Sequence, residues 1–164
     1  MLTRHVYRGR SGMPQLDVVV ALHQRRLVKD LQQIYPVTSK NHDRYWIATA
    51  ELPLDLFRGQ VHDDEISAAL GYLAHCLVLM SKYLNVALRH KIVCNSSRSA
   101  VQDADGTILP LFLSRVAERV QLERGFVLLH RNVDCLSLSQ GMVLHNNDES
   151  HILAKLNQVY TRVL

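Results

Sequence analysis

The fold is decided by one stretch, DDEISAALGYLAHCLVLMSKYLN at residues 63–85, in which most side chains are apolar. At about 100° per residue, five polar or small positions share one stripe about 80° wide: Asp64, Ser67, Gly71, His75 and Lys82. A helix with a single narrow polar stripe is buried over most of its circumference. The stretch therefore predicts the central helix of a domain, with Asp63 or Asp64 as its N-terminal cap.

His75 and Cys76 are neighbours in this stretch, which raises the question of a nucleophile and its base. Adjacent helical residues point about 100° apart, so His75 is badly placed to serve the Cys76 thiol. Cys76 falls on the apolar side, where burial raises a thiol pKa and makes the sulfur inert. We predict a core cysteine beside a histidine of the polar stripe. The alternative is a small cysteine-dependent or phosphate-binding enzyme that uses Cys76 or Arg98.

Bulk composition narrows the class of protein. With 164 residues, 48% of them hydrophobic and 21% charged, the chain is expected to form one globular domain. Its net charge of +4 comes without a dense cluster of Lys and Arg, so nucleic-acid binding is not expected. Three cysteines without a Cys-x-x-Cys pair predict buried thiols in a reducing compartment, and the nine histidines lack zinc-like spacing. Neither a metal nor a cofactor is predicted.

Around the central helix, helical patterns alternate with short strand-like runs. Residues 1–14, rich in Arg and Gly, are predicted to be a flexible lead-in without the apolar centre of a signal peptide. The other predicted elements are a helix at 15–35, a loop at 39–43, strands at 44–52, 87–94, 99–103 and 107–113, and helices at 120–140 and 152–163. This order predicts an α+β fold with a small antiparallel or mixed sheet that carries helices. No uninterrupted apolar run reaches the ~20 residues of a membrane span, so a cytosolic protein is expected.

The segment SSRS at residues 96–99 is a candidate site. The hydroxyls of Ser97 and Ser99 and the guanidinium of Arg98 are groups that bind phosphate. The segment lacks the glycine-rich loop into a helix that phosphate cradles use. An arginine in a strand or bulge more often pairs with a carboxylate or crosses an interface. We therefore favour an interface role for these residues.

Two further surfaces are candidates for contacts. Arg25, Arg26 and Lys29 form a basic face on the first predicted helix, which suits an interface with a partner. Tyr45 and Trp46 are adjacent aromatic residues in a predicted strand and are candidates for membrane contact, because aromatic rings favour the lipid–water boundary. The competing interpretation places both rings in the core.

Four blocks of the sequence, together covering roughly residues 22 to 140, resemble the UVRAG family, which includes its yeast vacuolar-sorting counterpart. RRLVKDLQQIYPV at 25–37 is similar to a family helix that ends in Ile-Tyr-Pro-Ile, and AALGYLAHCLVLMSKYLNVALRHKI at 68–92 is similar to its Ala-Leu-Gly-Tyr helix. SSRS stands where the family has Gly-Ser-Arg-Ser. LERGFVLLHRNVDCL at 122–136 matches a further family helix in register at Gly125, Leu128, Leu129, Asn132 and Leu136. The sequence departs from the family pattern at Ala87, His90, Lys91, Ser96 and Arg124.

The resemblance implies a non-catalytic subunit of a class III phosphatidylinositol 3-kinase complex. Such subunits pair with a Beclin-family protein and assemble with the lipid kinase and its regulatory protein-kinase-like subunit. The resemblance implies that residues 36–164 form a BARA-like domain of sheet–helix repeats, and that residues 15–35 are the end of a coiled coil. It also implies a cytoplasmic protein, peripheral on endosomal membranes, that acts in endosomal sorting and autophagy. The UVRAG branch and the related autophagy-specific branch both remain open.

Overall fold

Two small antiparallel sheets, each followed by a long helix, make up most of the protein. The structure, a computed structural model, describes residues 13–41, 44–57, 61–113, 119–143 and 150–164. In chain order its elements are α1 (Met13–Ile34), β1 (Val37–Asn41), β2 (Arg44–Ile47), β3 (Ala50–Pro53), α2 (Asp63–Leu84), β4 (Ile92–Val93), β5 (Ala100–Gln102), β6 (Ile108–Pro110), α3 (Arg119–Ser139) and α4 (Ile152–Val163). The sheets have the orders β1-β2-β3 and β4-β5-β6. The predicted α+β class is confirmed.

The first sheet corrects two predictions. The run at 44–52 is not one strand but two, β2 and β3, which pair with each other across a turn at Ala48 and Thr49. Ala48 has a positive φ of 52°, and its amide donates to the carbonyl of Pro36 at 2.9 Å. The turn contains no Gly, Pro or Asn, so its composition does not mark it. The predicted loop at 39–43 is wrong in its first part, because β1 extends to Asn41 and pairs with β2.

The second sheet is shorter than predicted at its first strand. The strand predicted at 87–94 is reduced to the two residues of β4. Just before β4, the amide and carbonyl of His90 bind the side-chain amide of Asn132, both at 2.9 Å. The helix α3 thus supplies through one side chain the partner that a neighbouring strand would supply. The sequence Ala-Asp-Gly at 104–106 predicts a tight turn, and Gly106 there has a φ of 87°. The strand predicted at 107–113 is present but shorter, as the three residues of β6.

The helix α2 is the predicted central helix, and its buried side chains form the middle of the core. Its N-terminal cap is His62, which makes no capping hydrogen bond with its side chain, so the predicted Asp63 or Asp64 cap is wrong. The helix ends at Asn85, which adopts the left-handed conformation with a φ of 53°. Among the described helices, α2 is long and apolar enough to cross a membrane, but 56% of that window is buried inside the domain. It is therefore the core helix of this fold.

The last two helices close the core over the sheets. α3 and α4 match the predicted helices within one residue at each end, and Gly141 follows α3 with a φ of 71°. His151 caps α4, because its Nδ1 accepts from the Leu153 amide at 3.1 Å and its Nε2 bonds the Leu52 carbonyl at 2.8 Å. The segment LHNNDES at 144–150 offers side-chain acceptors and predicts a cap for this helix, but apart from Ser150 it lies outside the described residues. The predicted lead-in also lies outside them up to residue 12, and α1 begins at Met13.

Candidate functional site

A cleft of about 550 Å³ opens between the end of α1, the middle of α2 and the loop after β4. Its lining residues come from three distant parts of the chain: Tyr35; Ala68, Gly71, Tyr72 and His75; Cys94, Ser96 and Ser97. A volume of this size is typical of pockets that hold a small ligand or an anchoring side chain. The polar stripe of α2 therefore faces a cleft.

Three rings form one wall of this cleft. The Tyr35 hydroxyl and the His75 Nδ1 are hydrogen-bonded at 2.7 Å, and the two ring centroids are 5.8 Å apart in an edge-to-face arrangement. The ring of Tyr72 lies 5.9 Å from that of Tyr35, at an interplanar angle of 40°. The hydrogen bond and the ring contacts hold the wall in place without a ligand. His75 thus pairs with Tyr35, from another element, and not with the adjacent Cys76.

Gly71 brings the opposite wall close to α2. A Cβ at this position would overlap the carbonyl oxygen of Ser96 and lie 2.9 Å from its carbonyl carbon. Ser96 has a positive φ of 53°, which is uncommon for a residue other than Gly. A residue without a side chain on α2 and a strained residue in the loop together allow the two backbones to touch. Gly71 is therefore a packing requirement of the cleft.

The SSRS segment separates into exposed and buried members. Ser97 and Arg98 are exposed, and Ser97 lines the cleft. Ser99 is only 1% exposed, and its hydroxyl donates to the Ser96 carbonyl at 2.7 Å and accepts from the Asn95 amide at 3.0 Å. Ser99 therefore shapes the loop, and the interface prediction stays open for Ser97 and Arg98.

The first helix exposes both charged and apolar side chains. Arg25, Arg26 and Lys29 are exposed, as a basic face requires. The spacing of the apolar residues predicts a seam on the same helix at Leu16, Val20, Leu27, Leu31 and Ile34. Of these five, only Leu31 is buried, at 1% exposed, while Leu16 and Ile34 are 64% and 61% exposed. The remaining large exposed apolar side chains of α1 are Val18, Val19, Val20 and Leu22. Most of this helix therefore has no apolar partner within the described part of the domain.

Tyr45 and Trp46 lie on opposite faces of the first sheet, because successive strand residues alternate. Tyr45 stacks on the ring of His151, with centroids 4.4 Å apart, and packs against the core. Trp46 is on the outer face, where Lys40 Nζ and Arg44 Cζ lie 5.0 Å and 5.4 Å from its ring centroid. Arg44 also donates to both carboxylate oxygens of Glu51 at 2.7 Å. Of the two membrane candidates, Trp46 alone is placed for an outside contact.

The thiol of Cys76 is unsuited to nucleophilic chemistry. It is fully buried and hydrogen-bonded to the Tyr160 hydroxyl at 3.0 Å. Burial raises its pKa to about 12, so the reactive thiolate is scarce at neutral pH. The structure thus argues against the enzyme alternative at Cys76. Within the residues that the structure describes, no group of three or more His, Cys, Asp or Glu side chains is arranged to hold a metal ion.

Sequence reasoning missed most of the cleft. Tyr35 lies in the family-like Ile-Tyr-Pro segment and Tyr72 in the Ala-Leu-Gly-Tyr segment, but neither motif indicates that the two residues meet. Their meeting depends on the packing of α1 and the β4–β5 loop against α2. A glycine in the middle of a long apolar helix was the one available signal, since Gly weakens a helix unless close approach requires it.

Comparison with known proteins finds curated relatives, although no known protein-family model matches the chain. The chain is 30% identical over 125 residues to UV radiation resistance-associated protein of Mus musculus, a match that covers 72% of this chain and 18% of that protein. It is 33% identical over 104 residues to Vacuolar protein sorting-associated protein 38 of Schizosaccharomyces pombe, covering 62% of this chain and 21% of that protein. The chain thus spans about a fifth of the length of these curated relatives.

Proposed function

Since this chain belongs to the family of UV radiation resistance-associated protein and Vacuolar protein sorting-associated protein 38, we propose that it serves as a non-catalytic, regulatory and scaffold subunit of a class III phosphatidylinositol 3-kinase complex. In this role it pairs with a Beclin-family protein and joins the lipid kinase and its regulatory protein-kinase-like subunit. The assembly directs lipid-kinase activity to endosomal membranes in endosomal sorting and autophagy.

The observation that carries this proposal is the exposed apolar surface of α1. Leu16, Val20, Leu27 and Ile34 follow one another at steps of four, seven and seven residues, so they lie on one face of the helix and fit a and d positions of a heptad pattern. Leu16 and Ile34, at its two ends, are more than half exposed. A seam of this kind in water is unfavourable, so it is expected to be covered by a helix of a partner chain. We therefore place the pairing surface for the Beclin-family protein on α1.

A second contact of the proposed function is with the membrane. Trp46, Lys40 and Arg44 form a patch on the outer face of the first sheet, with the two cationic side chains beside the aromatic ring. Aromatic rings favour the lipid–water boundary and basic side chains favour anionic headgroups. Trp46 is the one tryptophan of the sequence, so tryptophan fluorescence reports on this patch directly. We expect phosphatidylserine vesicles to shift the emission maximum of Trp46 to shorter wavelength, with a smaller shift in Lys40→Ala and no shift with phosphatidylcholine vesicles. If neither kind of vesicle shifts the emission maximum, this membrane contact is wrong.

The proposal is tested by co-expression with a Beclin-family protein and the lipid kinase, followed by affinity purification through a tag on this chain. Val20→Asp places a charge in the exposed seam and is expected to lower the recovered Beclin-family protein at least about tenfold. Val127→Asp is the matched control, because Val20 and Val127 are 47% and 50% exposed and Val127 lies on α3. If the unmodified chain folds, by circular dichroism, and still recovers neither protein, the proposed function is wrong.

A further inference from the structure

The cleft beside α2 has a lining that selects a neutral ligand. Among the described residues that line it there is no Asp, Glu, Lys or Arg. An ammonium or guanidinium group would enter without an Asp or Glu carboxylate in the lining, and a phosphate or carboxylate would enter without a Lys or Arg side chain in the lining. Burying an unpaired charge is costly, whereas a neutral group loses little. The lining thus disfavours both kinds of ion.

The shape of the lining favours an aromatic group. The Tyr35, Tyr72 and His75 rings form one wall, and aromatic rings pack edge-to-face or offset against one another. On the α2 side, the small side chain of Ala68 leaves room for a flat group to approach the helix. Because the Tyr35–His75 hydrogen bond already fixes the wall, little freedom is lost when a ring enters.

The loop wall supplies polar contacts for the edge of such a ring. The hydroxyls of Ser96 and Ser97 both donate and accept hydrogen bonds, and both residues are exposed at the cleft. The thiol of Cys94 is on the same side. An aromatic group with a hydroxyl or an N–H at its edge fits these contacts, which are the features of tyrosine and tryptophan side chains.

The cleft continues the exposed apolar surface of α1. Ile34, the last residue of that helix, is 61% exposed, and Tyr35 directly after it lines the cleft. A chain that covers the α1 seam therefore reaches the cleft at the end of its path. We propose that the cleft is an anchor pocket for a tyrosine or tryptophan side chain of the partner chain that pairs with α1. This inference rests on the proposed function for its occupant.

Cys94 allows a direct test, because it lines the cleft and is the exposed one of the three cysteines. Alkylation of each cysteine by N-ethylmaleimide is followed by peptide mass spectrometry in the free chain and in the complex with the Beclin-family protein. Cys94 is expected to react at least about tenfold more slowly in the complex, while Cys135 on α3 serves as the internal reference. N-acetyltyrosinamide added to the free chain is expected to slow Cys94 as well, and N-acetyllysinamide is not.

The outcomes separate this inference from the proposed function. If the complex forms and Cys94 reacts as fast as in the free chain, the anchor pocket is wrong and the proposed function stands. If no complex forms, the proposed function fails and the partner as occupant fails with it. If the tyrosine and lysine derivatives slow the alkylation of Cys94 equally, or if neither slows it, the preference for a neutral aromatic group is wrong.

A pocket-filling variant gives an independent measurement. Ala68→Phe places a ring in the cleft and is expected to weaken binding of the partner about tenfold. Ala104→Phe, in the exposed turn between β5 and β6, is the matched control and is expected to bind as the unmodified chain does. Unchanged binding in a folded Ala68→Phe variant contradicts the pocket, and if that variant fails to fold, the Cys94 experiment decides alone.

Discussion

The two sheet–helix units of this protein are built from the same parts but are held together differently. The first unit, β1 to β3 with α2, has strands of four or five residues, with an unbroken register between β2 and β3 and one irregularity between Ser39 and Asn41 of β1. The second unit, β4 to β6 with α3, has strands of two or three residues. Fewer ladder hydrogen bonds in the second sheet leave more of its backbone to be satisfied by side chains.

The two units also differ in how many hydrogen bonds a helix side chain makes to the backbone at the sheet. In the first unit, the Glu65 carboxylate of α2 accepts one hydrogen bond from the Glu51 amide at 2.9 Å. In the second unit, the Asn132 amide of α3 makes two bonds to the backbone of His90, and Asn132 is fully buried. The Asn132 side chain thus makes the two hydrogen bonds to the His90 backbone that a neighbouring strand would otherwise make. We expect the second unit to be the more sensitive to loss of a single polar side chain.

The largest expected effect is that of Asn132→Ala. It leaves a buried N–H and a buried C=O of His90 without partners, at a cost of about 3 to 4 kcal/mol. Glu65→Ala, which removes one partly exposed bond of the first unit, is expected to cost only about 1 kcal/mol. Urea unfolding of both variants measures the difference. Equal losses would show that the two units do not differ in this respect.

A pair of glycines sharpens the same comparison. Gly71→Ala on α2 meets the Ser96 backbone and is expected to cost about 2 to 3 kcal/mol. Gly125→Ala on α3 meets the Leu111 side chain at 3.2 Å and the Pro110 carbonyl at 3.3 Å, and gains helix propensity, so the net change is expected to stay below about 1 kcal/mol. Thermal unfolding compares the two. A Gly71 variant as stable as the Gly125 variant would contradict the close contact between α2 and the loop.

The helices could be predicted from the sequence because their burial is periodic within each segment. The α2, α3 and α4 predictions rest on apolar positions that recur along one face, and Cys76 was assigned to the core on that basis. The turn at Ala48 and the short β4 could not be predicted in this way, because both depend on contacts with distant residues. The cleft was missed for the same reason. Side chains alternate between the two faces of a strand, so the sequence of β2 alone could have placed Tyr45 and Trp46 on opposite faces of the sheet.

The free energy of unfolding is expected to fall in mild acid, because each unit has a buried histidine beside one of its strands. Burial lowers the pKa of His151, which contacts β3, and that of His90, which precedes β4. A histidine whose pKa is lower in the folded state binds more protons when unfolded. Its contribution is therefore complete above the ordinary value of 6.5 and is lost as the pH falls below it.

The two histidines differ in what protonation breaks. The Nδ1 of His151 accepts the Leu153 amide, so a proton there removes the cap of α4. We expect a lower melting temperature at about pH 5.5 than at about pH 7.5, and a smaller pH effect in His151→Asn, which retains a capping side chain. Calorimetry at both pH values measures this. An unchanged pH effect in that variant would place the dependence elsewhere, with His90 as the other buried histidine among the described residues.

The smallest expected effect concerns Cys76 of α2 and Cys135 of α3. Cys76→Ala removes a small buried group and its bond to Tyr160, and we expect a loss of about 1 kcal/mol. Cys135→Ala on α3 removes a half-buried thiol with a 3.4 Å contact to the Ala87 carbonyl, so its cost is expected to be lower. Urea unfolding compares the two variants. Because the pKa of Cys76 is raised to about 12, its thiol is also expected to resist alkylation until the chain unfolds. Rapid alkylation of Cys76 in the folded chain would contradict both its burial and the assignment of α2 as the core helix.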